Sequence, residues 1–101
     1  MDNSKAIEMF HCMWDCFPGI ARLIDKDHNI LAANETAIDK GFKPGMRCCD
    51  VPGSHKECKF AAAFKNHKGY TDNVLEGKIR GWMPVEGFPD LIVHFTVVIP
   101  E

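Results

Sequence analysis

The stretch Ile20-Ala21-Arg22-Leu23-Ile24-Asp25-Lys26-Asp27-His28-Asn29-Ile30-Leu31-Ala32-Ala33-Asn34 holds two short apolar runs joined by a polar turn. It ends on an asparagine, where a helix-like segment takes over. Short apolar runs bounded by Asp and Asn read as strands, because those side chains bond their own backbone and favour turns. The stretch is therefore expected to form a β-hairpin that opens a small mixed α and β fold.

Toward the N-terminus, Ile7, Phe10, Trp14 and Phe17 recur at helical spacing from Lys5 to Phe17, and Met9, Met13 and Cys16 widen the stripe. Ser4 is the expected N-cap and Pro18-Gly19 the stop. An apolar face this broad on a terminal helix needs a cover, either its own sheet or the same helix of a second copy, so a homodimer is expected. Cys12 and Cys16 share a face at i and i+4 and are expected in the core, since free cysteine behaves as a small hydrophobe.

Toward the C-terminus, Asn34 to Lys40 can form a short helix, and Gly41 with Pro44-Gly45 opens a loop running to about Gly53. Lys56 to Asn66 reads as the central helix: Phe60 and Phe64 fall on one side, three alanines favour the helical state, and Gly69 is placed to end it. From Tyr70 the period changes toward two, and Tyr70 to Leu75, Lys78 to Val85 and Leu91 to Ile99 read as three antiparallel strands. In the last of them Leu91, Val93, Phe95, Val97 and Ile99 share one face, while Ile92, His94, Thr96 and Val98 share the other. Such a strand belongs to a sheet covered on both sides.

A chain of 101 residues supports one hydrophobic core, so one domain over residues 1–101 is expected. Apolar residues at 46% and charged residues at 26% are ordinary globular proportions. Twelve basic and fourteen acidic residues are scattered along the chain, leaving no basic stripe for a nucleic-acid backbone or an anionic membrane. No run approaches the roughly 20 apolar residues that span a bilayer, and the first ten residues lack the order of a secretory signal. A cytoplasmic location is expected, with the five cysteines as reduced thiols.

The order helix, two strands, short helices, longer helix, three strands resembles the PAS sensor family across nearly the whole chain. Ile24 to Asn34 and Ile92 to Glu101 carry most of the resemblance. It implies a five-stranded antiparallel sheet whose helices cup a pocket against one face. It also implies a signal-sensing and protein-interaction module that binds a small organic ligand, dimerises and regulates a kinase, cyclase or transcription-factor effector, as in two-component regulation. The chain stops where such an effector would begin, as an excised or a stand-alone sensor would.

Phe42, Phe60, Phe64, Trp82 and Phe95 are the candidate pocket walls, since small-ligand sites are lined by aromatic side chains with a few polar groups. Gly45 to Cys58 resembles a cysteine-bearing PAS loop, but Ala61, three residues beyond Cys58, stands where its last cysteine would be. Its Cys48, Cys49, His55 and Cys58 are donors of the kinds that hold zinc or an iron–sulfur cluster. His67, one turn beyond Phe64, is the position at which the haem-binding branch of the family would place its iron ligand, though a histidine at a helix end also serves the helix dipole. The alternative to an organic-ligand sensor is thus a redox or gas sensor built on that loop or on His67. No nucleophile elbow, phosphate-cradling loop or His-Glu-x-x-His helix is present, and no enzymatic activity is expected.

Overall fold

The computed structural model describes residues 3–50 and 58–100, with the backbone alone at Cys49. The hairpin forms as read, with β1 at Ile20–Asp25 and β2 at Ile30–Ala33. Its turn is held by the Asp25 carboxylate, which accepts from the backbone N–H groups of Asp27 and Asn29, both at 2.9 Å, and from the Asn29 amide at 3.0 Å. His28 takes a left-handed φ of 68° there. Leu23 pairs with Ala32 but Ile24 pairs with Ile30, so Leu31 is the extra residue of a bulge.

Asn34 ties this hairpin to the rest of the chain. Its side-chain oxygen accepts from Ala37 N at 3.0 Å, capping helix α2 (Glu35–Asp39), and from Ala21 N at 3.1 Å. Its amide donates to the Gly19 carbonyl at 2.8 Å and to the Trp14 carbonyl at 3.3 Å. One buried side chain thus bonds four backbone groups, on α1, on α2, on β1 and at Gly19 just ahead of β1.

The leading helix α1 spans Ser4–Trp14. Ser4 lies inside it, and Asn3 holds the cap position without a side-chain hydrogen bond. The helix stops short of Pro18, and Cys12 and Cys16 are exposed, not buried, because Ala6 and Phe10 form its inward side. The central helix α3 covers Phe60–Asn66, so Cys58 and Lys59 precede it. His67 ends it in the left-handed conformation at φ 47°, a role the sequence suggested for Gly69.

Strands β3 (Tyr70–Asp72), β4 (Lys78–Val85) and β5 (Phe88–Val98) complete a five-stranded antiparallel sheet in the order β2-β1-β5-β4-β3. β3 is shorter than the expected Tyr70 to Leu75, and β5 begins ahead of Leu91 because Val85 pairs with Phe88 across a turn at Gly87. Both faces of the sheet are covered. Ala21, Leu23, Ala32, Leu91 and Val93 pack against Ala6 and Phe10 of α1, so the helix finds its cover in its own sheet. Ile24, Ile30, Ala33, Trp82 and Ile92 pack on the other side with Ala37, Phe42, Phe60 and Ala63. Among the described residues no helix is long and apolar enough to cross a membrane.

Candidate ligand-binding site

Antiparallel register aligns side chains of equal parity into rows across the sheet. On the face that carries α2 and α3, one row runs Arg22, His94, Trp82, Tyr70, and the next runs Ile20, Thr96, Arg80, Asp72. Arg22, Arg80 and His94 are each 2% exposed. A cavity of about 450 Å³ opens over these rows. Its polar lining is Arg22, Arg80, His94 and Thr96, with Thr36, Lys40 and Lys78; its apolar lining includes Ile20, Phe42, Leu75 and Val98. The volume falls within the range of small-molecule sites.

The two buried arginines are satisfied to different degrees. Arg80 donates from Nε and Nη2 to the Asp72 carboxylate, both at 3.0 Å, and Lys59 reaches the same carboxylate at 2.7 Å. Burial raises the Asp72 pKa, but the bonds from Arg80 and Lys59 outweigh it and bring it down to about 2. Arg22 has no carboxylate within ion-pair distance among the described residues. Its Nη1 lies 3.5 Å from the Cys48 thiol and its Nη2 3.4 Å from the Thr96 hydroxyl, while its buried Nε has no hydrogen-bond partner among the described residues. The guanidinium lies 4.1 Å from the centre of the Phe42 ring, a cation–π contact that fixes the side chain from above.

His94 stacks on Trp82 with ring centroids 4.6 Å apart and is 2.7 Å from the Gly81 carbonyl through Nδ1. A carbonyl accepts, so Nδ1 carries the proton. Burial, followed by repulsion from Arg22, holds the imidazole well below its usual pKa, against the opposing pull of the Gly81 bond. The site therefore presents fixed guanidinium charge beside a neutral imidazole. Such an arrangement can bind and orient an anion.

Of the aromatic residues expected at the pocket, Phe42 lines the cavity. Phe60, Phe64 and Trp82 belong to the adjoining core on the same side of the sheet. Phe95 lies on the opposite side, its ring 5.9 Å from Trp14 and 5.7 Å from Phe17. Cys48 is buried beside Arg22 and Cys58 is half-buried against the core. His55 and the Cys49 side chain lie outside the described residues, among which no three metal-ligating side chains come together. His67 is 54% exposed and 3.7 Å from Glu86, away from the cavity, so its position does not fit an axial ligand within an apolar pocket.

Arg22, Arg80, Thr96, Lys40 and Lys78 were not marked by any motif. A signal was present for two of them. Arg22 falls between Ile20 and Ile24 in the alternation of β1, and Arg80 stands two residues before Trp82 in β4, so each puts a charge on an otherwise buried parity.

The fold is shared with known structures. The chain matches the crystal structure of a sensory box sensor histidine kinase from Vibrio cholerae with a TM-score of 0.70, at 11% identity over 96% of this chain and 92% of that one. It matches the PAS domain of BvgS from Bordetella pertussis with a TM-score of 0.57, at 18% identity over 95% of this chain and 87% of that one. At these identities the likeness is one of fold, and the chain has the PAS fold its element order suggested. No protein-family model matches the chain, and no curated protein matches it.

Proposed function

We propose that the chain is a sensory module that binds a small organic ligand in the cavity over β1, β4 and β5 and regulates a partner. One observation carries the reading: a PAS fold whose inner face, instead of being filled, leaves about 450 Å³ walled by buried polar side chains. Filled cores are apolar, and polar groups held inside at a cavity are what fixes a ligand's orientation. Signal transmission is a population shift, in which the ligand favours one arrangement of the strands it touches. The module has no catalytic role in this reading. Its partner is a kinase, cyclase or transcription-factor effector, and the likeness to a sensor histidine kinase fold supports the first of these.

Two finer elements belong to the proposal. Homodimerisation through α1 is supported by Met9 and Met13, which stay 38% and 70% exposed after the helix has packed on the sheet. A cytoplasmic setting is supported by the free, exposed thiols of Cys12 and Cys16, which persist in a reducing compartment. Native mass spectrometry of the purified chain tests the central claim. A stoichiometric small molecule that is lost on denaturation is the expected result, and a chain that neither retains nor takes up any organic molecule overturns it. Light scattering tests the dimer, which a monomer at high concentration would refute.

A further inference from the structure

We infer that the ligand is an organic carboxylate with an apolar body, its carboxylate bound by Arg22. The inference rests on the reading of the cavity as a ligand site and gives that ligand a chemical class. Arg22 is the observation that demands it. The side chain is 2% exposed and, among the described residues, its Nε has no acceptor and its terminal nitrogens meet only a thiol at 3.5 Å and a hydroxyl at 3.4 Å. A buried guanidinium ordinarily has a carboxylate, as Arg80 has Asp72 one strand away. Asp72 is already shared between Arg80 and Lys59, so it does not neutralise Arg22 as well.

The rest of the lining has the same sign. Lys40 and Lys78 join the two arginines around the cavity, and among the described residues no aspartate or glutamate lines it. The guanidinium is a planar fork that matches a carboxylate through two parallel bonds, and the Phe42 ring at 4.1 Å holds it in place. The remaining walls, Ile20, Leu75 and Val98 with Phe42, are apolar and suit a hydrocarbon body better than a bare inorganic ion.

The test uses the 101-residue chain and matched pairs of probes: benzoate against benzamide, and hexanoate against hexanamide. By calorimetry each carboxylate is expected to bind at least about tenfold more tightly than its amide. Arg22→Met is expected to erase that preference and Arg22→Lys to restore part of it, with circular dichroism checking the fold of each variant. Because Arg22→Met can fail to fold, the unmodified chain supplies a second readout: the Arg22 Nε–H resonance should shift on addition of benzoate and stay in place with benzamide. Equal binding of acid and amide overturns the carboxylate assignment while leaving a ligand-binding cavity in place. Binding of inorganic phosphate as tightly as benzoate also overturns it, by showing that the apolar walls add nothing. Failure of all four organic probes overturns it too, and the copurification experiment above then decides separately whether the cavity takes a ligand at all.

Discussion

Arg22 and His94 are direct cross-strand partners on β1 and β5, a permanent cation set beside an imidazole that is kept uncharged. Burial is the larger cause of that neutrality and the Arg22 charge the next.

His94 should accordingly show the ring signals of the neutral Nδ1–H tautomer at pH 6.5 and below in an NMR titration. Its depressed pKa contributes stability that is fully present above the ordinary histidine value of 6.5 and is lost as the pH falls below it toward the folded-state value. Arg22→Met should move the His94 pKa upward by removing the repulsion. A His94 that titrates at or above 6.5 in the unmodified chain would contradict the arrangement.

Asp72→Ala leaves Arg80 buried without its carboxylate and should destabilise the fold by about 3 kcal/mol in urea unfolding at neutral pH. The unmodified chain should lose roughly 2 kcal/mol of the same contribution through protonation. The sign follows from a pKa brought from 3.8 down to about 2: the contribution is complete above 3.8 and disappears as the pH falls to about 2. A variant with an unchanged urea midpoint would show that the pair contributes nothing.

Asn34→Ala removes two accepted and two donated bonds at once, and a loss of about 2–3 kcal/mol is expected, more than an ordinary helix cap supplies. Asn34→Asp keeps the acceptor for Ala37 and Ala21 but turns a carboxylate oxygen toward the carbonyls of Gly19 and Trp14. It should therefore rescue little of the loss, and full rescue in thermal melts would show that the donated bonds are dispensable.

Gly81 and Phe95 pair across β4 and β5, and the Phe95 ring lies where a Cβ at position 81 would be, within 3 Å of three ring atoms. Gly81→Ala should cost about 1–3 kcal/mol by overpacking. Phe95→Leu introduced with it should recover part of that cost, since the smaller side chain can vacate the space. A double variant no more stable than Gly81→Ala alone would locate the strain elsewhere.

The hairpin and the two long C-terminal strands were legible because each is written in local chemistry, turn-forming Asp25 and a period of two, whereas Asn34, the expected first residue of the short helix, caps it instead. The cavity was not legible, because it depends on register. Arg22 meets His94 only through the pairing of β1 with β5, strands far apart in the sequence, and Thr96 meets Arg80 only once the Val85–Phe88 turn has set the register of β4 on β5. Phe95 shows how side-chain type can mislead where parity does not. Grouped with the other aromatics it was assigned to the pocket, yet the alternation of β5 already put it opposite His94, and there it packs under Trp14 and Phe17. Cys12 and Cys16 were expected inside from their residue type, and the helix instead turns Ala6 and Phe10 inward.

Adjacent residues of β5 look in opposite directions: Thr96 into the hollow, Phe95 and Val97 toward the side where α1 rests. A single peptide unit therefore separates a residue of the hollow's lining from the seat of Trp14, and the sheet divides its two sides by no more than the thickness of one backbone.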